Sequence, residues 1–173
     1  MCDDMQAAGV DGVIVQAITG LDGISYTRQQ LQKTLDRGFR IAGYVWCFPG
    51  GPSVASRLSM FDGFKLEWLA LDNEQAGLSF ADMDRDFALC DAYMGGQLTE
   101  DYTAYWFYQL MGWLRITRYS NRALWYAAYD EQAAMSSFVP FGGWTTPRTH
   151  QFTDKQLYGG VALDVNFRVP SAG

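Results

Sequence analysis

The stretch from residue 68 to residue 77 constrains the fold more than any other part of the sequence. Its first four residues are apolar, which is typical of a strand covered on both faces in a parallel sheet. Asp72 and Glu74 follow two residues apart, so on a strand both carboxylates would emerge on one face with Cα atoms about 6–7 Å apart. Active sites of parallel α/β proteins collect at such strand ends. We therefore predict a buried strand that ends in a pair of acids, which are candidates for a functional role.

Two close carboxyl groups do not ionise independently. One tends to be held protonated and can act as an acid, while the other stays charged. This division of roles is what cleavage of a glycosidic bond requires. A strand end with two solvated acids is the alternative interpretation of the same spacing.

Strand-like and helical segments alternate along the 173 residues. Seven segments are predicted as strands, at residues 10–18, 40–48, 68–74, 97–103, 123–129, 148–152 and 161–167. The clearest helix is expected at 79–94 with Ser79 as its cap, and another is expected to begin at Thr27. The pattern favours one α/β domain over residues 1–173, with a parallel sheet or a barrel one strand short of (β/α)₈.

Composition excludes several classes of function. The net charge is −6 without any basic run, which argues against nucleic-acid and anionic-membrane partners. Cys47 and Cys90 lie in apolar surroundings and are expected to be reduced core residues. His150 is the only histidine, which argues against a histidine-based metal site and weakens any Ser-His-Asp triad. No apolar run reaches transmembrane length, and the first residues lack the features of a signal peptide.

Several short motifs occur in an order that resembles the family 25 glycoside hydrolases, which are lysozymes (muramidases) of bacteriophages, bacteria and some fungi. The motifs are Gly43-Tyr44-Val45-Trp46-Cys47-Phe48, Leu71-Asp72-Asn73-Glu74, Tyr102-Thr103, Leu124-Trp125-Tyr126-Ala127-Ala128-Tyr129, His150-Gln151-Phe152 and Gly160-Val161-Ala162-Leu163-Asp164-Val165-Asn166. The resemblance implies a TIM-like barrel. It also implies hydrolysis of the β-1,4 bond between N-acetylmuramic acid and N-acetylglucosamine in peptidoglycan, without metal or organic cofactor.

The sequence departs from the family pattern in two places. The family begins with a strand that carries an active-site Asp, and no corresponding segment precedes the helix that is predicted at Asp4–Gly9. We therefore expect an irregular or open barrel, a longer natural protein, or a gap filled by another segment or chain. The second departure is Trp46, which stands where the family has a His and would alter the cleft wall.

The resemblance implies roles for three carboxylates. Glu74 would be the general acid, held protonated by neighbouring carboxylates and a partly apolar cleft. Asp72 would stay ionised, supporting positive charge at the sugar or orienting its acetamido group. Asp164 would meet them at the barrel mouth as nucleophile or electrostatic partner. The alternatives are a surface acid, a structural acid bonded to backbone amides, and a turn-capping Asp, respectively.

Rings and polar side chains at the predicted strand ends are candidate saccharide contacts. The rings are those of Tyr44, Trp46, Tyr102, Trp125 and Tyr129, which can stack on sugar faces, with core packing as the alternative for each. Gln151 and Asn166 are the candidate polar contacts. His150 is expected to be a structural residue.

The leading hypothesis is a peptidoglycan muramidase, phage-derived or a virion-associated lysin, that acts on the bacterial cell wall. The alternative from another class is a non-catalytic wall-binding or virion structural module that retains the lysozyme fold and contacts other virion proteins. A third hypothesis is another retaining glycosidase or a chitinase-like barrel.

Overall fold

A computed structural model describes residues 1–18 and 23–169. The chain divides into two compact units. We call Gln6–Glu100 the N-terminal unit, and we call Met1–Met5 together with the chain from Asp101 onward the C-terminal unit. The fold is mixed α/β, as predicted.

The described residues form five α-helices, one 3-10 turn and seven strands. The helices are α1 (Cys2–Ala7), α2 (Gly23–Asp36), α3 (Val54–Leu58), α4 (Phe80–Tyr93) and α5 (Tyr105–Leu110), and the 3-10 turn is Ser59–Phe61. The strands are β1 (Gly12–Gln16), β2 (Arg40–Trp46), β3 (Leu69–Asp72), β4 (Glu100–Thr103), β5 (Leu124–Ala127), β6 (Thr149–Tyr158) and β7 (Val161–Arg168). The predicted number of strands is confirmed for this part of the chain.

In the N-terminal unit, β2 pairs in parallel with β1 on one side and with β3 on the other. The apolar run predicted as a strand forms β3, with Leu69, Ala70 and Leu71 almost fully buried. Gly43 in β2 lets the Phe61 ring pack closely against that strand, because a Cβ at residue 43 would lie 2.7 Å from the ring. The helices of this unit connect the strands, which is why the strands can run parallel.

Two helices of this unit test the predicted caps. Helix α4 begins as expected, with the Ser79 hydroxyl accepting from the Asp82 N–H and the Asp82 carboxylate accepting from the Ser79 N–H. Helix α2 begins at Gly23, so the predicted start at Thr27 is wrong. Thr27 is buried inside that helix, where its hydroxyl donates to the Gln16 carbonyl and accepts from the Ile18 N–H. This tertiary use of a hydroxyl is indistinguishable from a cap in the sequence.

In the C-terminal unit, β5 pairs in parallel with β4 and β6, whereas β7 runs antiparallel to β6. The expectation of an all-parallel arrangement is therefore wrong for the last strand. Tyr158 and Val161 are paired across a two-residue turn, Gly159-Gly160, in which both glycines have positive φ. Two such residues form the tight hairpin turn that matches strand twist, so the two strands are longer than predicted and antiparallel.

Much of the aromatic content of the C-terminal unit fills its core. The Tyr108 ring packs against Phe141 at 5.0 Å and against Trp144 at 5.5 Å, and all three are buried. Edge-to-face contacts of this kind stabilise a core beyond simple area burial. Tyr102, Trp125 and Tyr129 are aromatic residues of this unit outside the cluster.

Cys47 and Cys90 are buried free thiols, as predicted. Within residues 1–18 and 23–169, no helix combines the length and apolar character needed to cross a membrane.

Candidate active site

The two acids at the end of β3 form a turn instead of extending the strand. Asp72 is the last residue of β3, and Glu74 lies in the irregular segment that follows. The Glu74 N–H donates to Asp72 Oδ1 across 3.2 Å, a turn in which an Asp side chain caps the backbone two residues on. The prediction that strand alternation places both carboxylates is therefore wrong. The turn instead holds the Glu74 backbone against the Asp72 carboxyl.

The electrostatics of Asp72 differ from the expectation of a fully ionised acid. Burial raises the pKa of this carboxyl to about 7, and the hydrogen bond from the Glu74 N–H opposes the rise. Loss of hydration disfavours the charged form, and one amide donor does not restore it. Near neutral pH, Asp72 is therefore divided between its protonated and ionised forms.

An exposed indole lies beside this carboxyl. Trp46 and Asp72 are register partners on β2 and β3, as are Tyr44 and Ala70, so Trp46, Tyr44 and Asp72 lie on one face of the N-terminal sheet. Trp46 is 38% exposed. Its ring packs on Phe48 with a centroid distance of 4.7 Å. Open ring surface next to a carboxyl suits contact with a sugar face.

Sequence reasoning missed two residues at this edge. Gln16 ends β1 and is the register partner of Tyr44, so it lies on the same face as the indole. Its signal was a polar residue at the end of an otherwise apolar strand. Phe48 supports Trp46 and is covered by the buried Arg57 guanidinium, whose carbon lies 5.0 Å from the Phe48 ring centre. Its signal was its place at the end of the Gly43–Phe48 motif, although no role was predicted for its ring.

Gln151 organises the predicted site residues of the C-terminal unit. Its Oε1 accepts from the Tyr102 hydroxyl at 2.6 Å and from the Tyr129 hydroxyl at 3.4 Å. The Gln151 side chain also donates to the carboxylate of Asp164. One buried amide therefore fixes two phenols and one acid, which is more than the simple polar contact expected of it.

A second pair lies on the same face of the C-terminal sheet. The Trp125 indole N–H donates to Asn166 Oδ1 at 2.7 Å, and the Trp125 ring meets the Tyr102 ring edge-on at 4.5 Å. Trp125 and Tyr102 are buried, whereas Tyr129 is 52% exposed. Of the three rings, Tyr129 therefore offers the most open surface to a ligand.

Asp164 is an exposed residue of β7 whose carboxyl is partly desolvated. Partial burial and the nearby charge of Asp154 raise the pKa of Asp164, and the hydrogen bond from Gln151 opposes the rise. The two strands place Asp164, Gln151 and Asn166 in one network of the C-terminal unit. An acid that is oriented by a neighbour is better suited to a chemical role than a freely rotating one.

His150 lies on the opposite face of β6 from Gln151, because neighbouring strand residues alternate. It is buried, and its two ring nitrogens lie within hydrogen-bond distance of the carbonyl oxygens of Ala128 and Ala134. These contacts support the structural role expected for it. Among the described residues, no three His, Cys, Asp or Glu side chains are arranged to hold a metal ion.

No protein-family model matches the chain. Lysozyme-like protein 5 of Caenorhabditis elegans is 32% identical over 111 residues, covering 61% of this chain and 51% of that protein. Probable GH family 25 lysozyme 2 of Dictyostelium discoideum is 24% identical over 178 residues, covering 94% of this chain and 82% of that protein. The chain thus spans about half the length of the nematode relative.

Solved structures extend the likeness to the fold. The muramidase of Trichobolus zukalii matches 99% of this chain and 88% of its own, at 21% identity and a TM-score of 0.71. A family GH25 lysozyme from Aspergillus fumigatus matches 98% and 88%, at 20% identity and a TM-score of 0.70. The fold is therefore the α/β fold of GH25 lysozymes. The resemblance to the family 25 glycoside hydrolases predicted from the motifs is confirmed.

Proposed function

We propose that this protein is a muramidase that hydrolyses the β-1,4 bond between N-acetylmuramic acid and N-acetylglucosamine in peptidoglycan. The relatives named as lysozymes and the shared fold support the class of reaction. The observation that carries the proposal is the Asp72–Glu74 turn at the end of β3, beside the exposed indole of Trp46. The reaction would use carboxyl groups and water alone, within one catalytic domain.

Glu74 is the proposed general acid. The turn places the Glu74 backbone against the Asp72 carboxyl, and Glu74 would carry the proton while Asp72 is in its ionised form. The Glu74 proton passes to the oxygen of the leaving sugar as its bond to the anomeric carbon breaks. Water then adds its hydroxyl to the anomeric carbon, and its remaining proton returns to the Glu74 carboxylate. Positioned proton transfer of this kind accelerates a reaction about 10²–10⁴-fold.

Asp72 is the proposed electrostatic partner in its ionised form. Positive charge develops on the sugar ring in the transition state, and a carboxylate on the same sheet face as the ring-binding Trp46 would stabilise it. The raised pKa of Asp72 means that this form is incomplete at neutral pH and grows as pH increases. The pH dependence of the rate is thereby tied to one residue.

Asp164 is retained as the third proposed carboxylate, and its orientation by Gln151 supports that choice. We retain five rings as proposed saccharide contacts, namely those of Tyr44, Trp46, Tyr102, Trp125 and Tyr129. The exposed rings of Trp46 and Tyr129 would stack on sugars. Within the C-terminal unit, the buried rings of Tyr102 and Trp125 would form a wall beside Tyr129. Gln151 and Asn166 would hold that wall in place.

The proposal is tested by clearing of purified cell walls with the parent chain and the Glu74→Gln variant. Loss of the acid should reduce the rate at least about 100-fold while circular dichroism stays unchanged. Glu67→Gln is the matched control, because Glu67 is an exposed residue of the same unit whose ion pair with Arg40 contributes little. Clearing by Glu74→Gln at the parental rate would remove Glu74 from the mechanism. Wall binding without clearing by the parent would favour the non-catalytic alternative.

A further inference from the structure

The buried imidazole of His150 faces two groups that can only accept hydrogen bonds. Nδ1 lies 2.6 Å from the Ala134 carbonyl oxygen, and Nε2 lies 2.9 Å from the Ala128 carbonyl oxygen. A neutral imidazole has one N–H and could satisfy one of the two. Both contacts can be hydrogen bonds at the same time only when both ring nitrogens carry a proton.

The surroundings provide a countercharge for that cation. Asp130 Oδ1 lies 3.7 Å from His150 Nε2, on the segment between the two carbonyls. Partial burial raises the pKa of Asp130, but hydrogen bonds from Ser137 and Gln132 and the charge of His150 outweigh it, and the net pKa is lowered. The other ionisable group facing the ring is the phenol of Tyr126 on β5, stacked at 5.6 Å between ring centres. Phe167, the register partner on β7, is uncharged.

The segment held by these bonds is strained. Glu131 has a φ of 60°, the only positive φ at a non-glycine residue in the described chain. Such a conformation is unfavourable for a residue with a side chain and persists where other contacts impose it. The Glu131 N–H donates to the Phe152 carbonyl, and the Glu131 carboxylate pairs with Lys155 at 2.7 Å. These contacts fix one side of the segment, and His150 fixes both of its ends.

The same segment carries Tyr129, whose exposed ring is the proposed saccharide contact and whose hydroxyl reaches Gln151. Ala128, the residue before it, accepts from His150 and donates its own N–H to the Gln151 carbonyl. Loss of one proton from His150 removes one of the two clamping bonds and leaves the strained segment with one anchor fewer. The ring of Tyr129 would then be presented less firmly.

We propose that doubly protonated His150 is a positioning residue that clamps residues 128–134 and thereby presents Tyr129 to the glycan. This inference rests on the proposed function, since it assigns Tyr129 a saccharide contact. Glycan affinity should fall about fivefold as His150 loses its proton, the loss expected when one aromatic contact is weakened. We expect kcat to depend on the ionisation of the catalytic carboxylates and not on the protonation of His150.

The test uses the fact that the chain has one histidine, so its imidazole signals need no assignment. Imidazole ¹⁵N spectra are recorded from about pH 5 to 8 on the intact chain, beside the Kd for a tetramer of N-acetylglucosamine and KM on cell walls. We expect two N–H signals at low pH, and Kd and KM should rise together as one signal disappears. A single N–H at about pH 5, or a Kd that ignores the titration, overturns the clamp.

Two variants, His150→Gln and His150→Lys, separate the effect of losing the positive charge from the effect of losing the imidazole ring. Glutamine should give a weak, pH-independent Kd, whereas lysine keeps the charge and should remove the pH dependence near neutrality. Folding of each variant is checked by circular dichroism, and the parental titration decides the matter if either fails to fold. If the imidazole gives the expected N–H signals but the protein binds no glycan, the proposed function is contradicted. The hydrogen bonds from His150 to Ala128 and Ala134 would still be supported. Glycan binding with a Kd independent of the imidazole would contradict the clamp alone.

Discussion

The main-chain N–H of Glu74 donates to the side-chain carboxyl of Asp72 across 3.2 Å. The bond joins the two proposed catalytic acids through a tight turn, and it explains why β3 ends at Asp72. A charged acceptor strengthens such a bond, whereas burial favours the neutral form of the same carboxyl. The pKa of Asp72 near 7 is the balance of these effects.

The first prediction concerns the pH profile of catalysis. With ionised Asp72 and protonated Glu74 as the active pair, the pH profile of kcat/KM should be bell-shaped, and its rising limb should have its inflection at about 7, the pKa of Asp72. Asp72→Asn should be slower and should lose this inflection. The measurement is initial rate against pH on a soluble glycan substrate. An unchanged inflection in Asp72→Asn would assign it to another group.

The second prediction concerns stability. Folding raises the pKa of Asp72 from 3.8 to about 7, so the folded protein keeps a proton that the unfolded chain loses. The contribution is full below about pH 4 and is lost as pH rises through 7, which lowers the unfolding free energy by up to about 3–4 kcal/mol. Urea unfolding at both ends of this range should show a smaller pH dependence in Asp72→Asn than in the parent. Equal dependence would mean that Asp72 is hydrated in the folded protein.

The third prediction concerns Trp46. Its exposed ring lies on the same sheet face as Asp72, so Trp46→Ala should raise KM about five- to tenfold through lost stacking, with a smaller effect on kcat. Trp106→Ala is the matched control, because Trp106 is 56% exposed but belongs to neither group of proposed site residues. Equal effects of the two variants would deny Trp46 a specific contact.

The fourth prediction concerns the network around Gln151. Gln151→Leu leaves the buried Tyr102 hydroxyl without its acceptor and should cost about 1–3 kcal/mol of stability. Tyr102→Phe removes the hydroxyl itself and should cost about 1 kcal/mol. The double variant should then be less destabilised than the sum, since no orphaned hydroxyl remains. Additive losses in urea unfolding would show that the two groups act independently.

Local patterns in the sequence predicted much of the fold. Helix α4 was predictable because Ser79 and Asp82 cap each other within four residues, and β3 because its apolar run is continuous. Thr27 was misjudged because its partners, Gln16 and Ile18, lie in another element. The hairpin between β6 and β7 was missed although Gly159-Gly160 signals it. Local chemistry can be read from sequence, whereas partners brought together by folding cannot.

In the candidate site, too, the sequence predicted the residues but not the contacts that folding gives them. Motif order singled out Asp72, Glu74 and Asp164, but neither the burial that shifts Asp72 nor the amide of Gln151 that orients Asp164 is visible in a sequence. His150 was expected to be structural. The two carbonyl groups that define its role come from residues 16 and 22 positions earlier in the chain.

We propose that this chain cleaves the bond that joins C1 of N-acetylmuramic acid to N-acetylglucosamine. The most direct test is mass spectrometry of fragments released from purified peptidoglycan, with reduction to mark the new chain end. We predict N-acetylmuramic acid at every new reducing end, and no release by Glu74→Gln. N-acetylglucosamine at that end, or no fragments from the folded parent chain, would contradict the account.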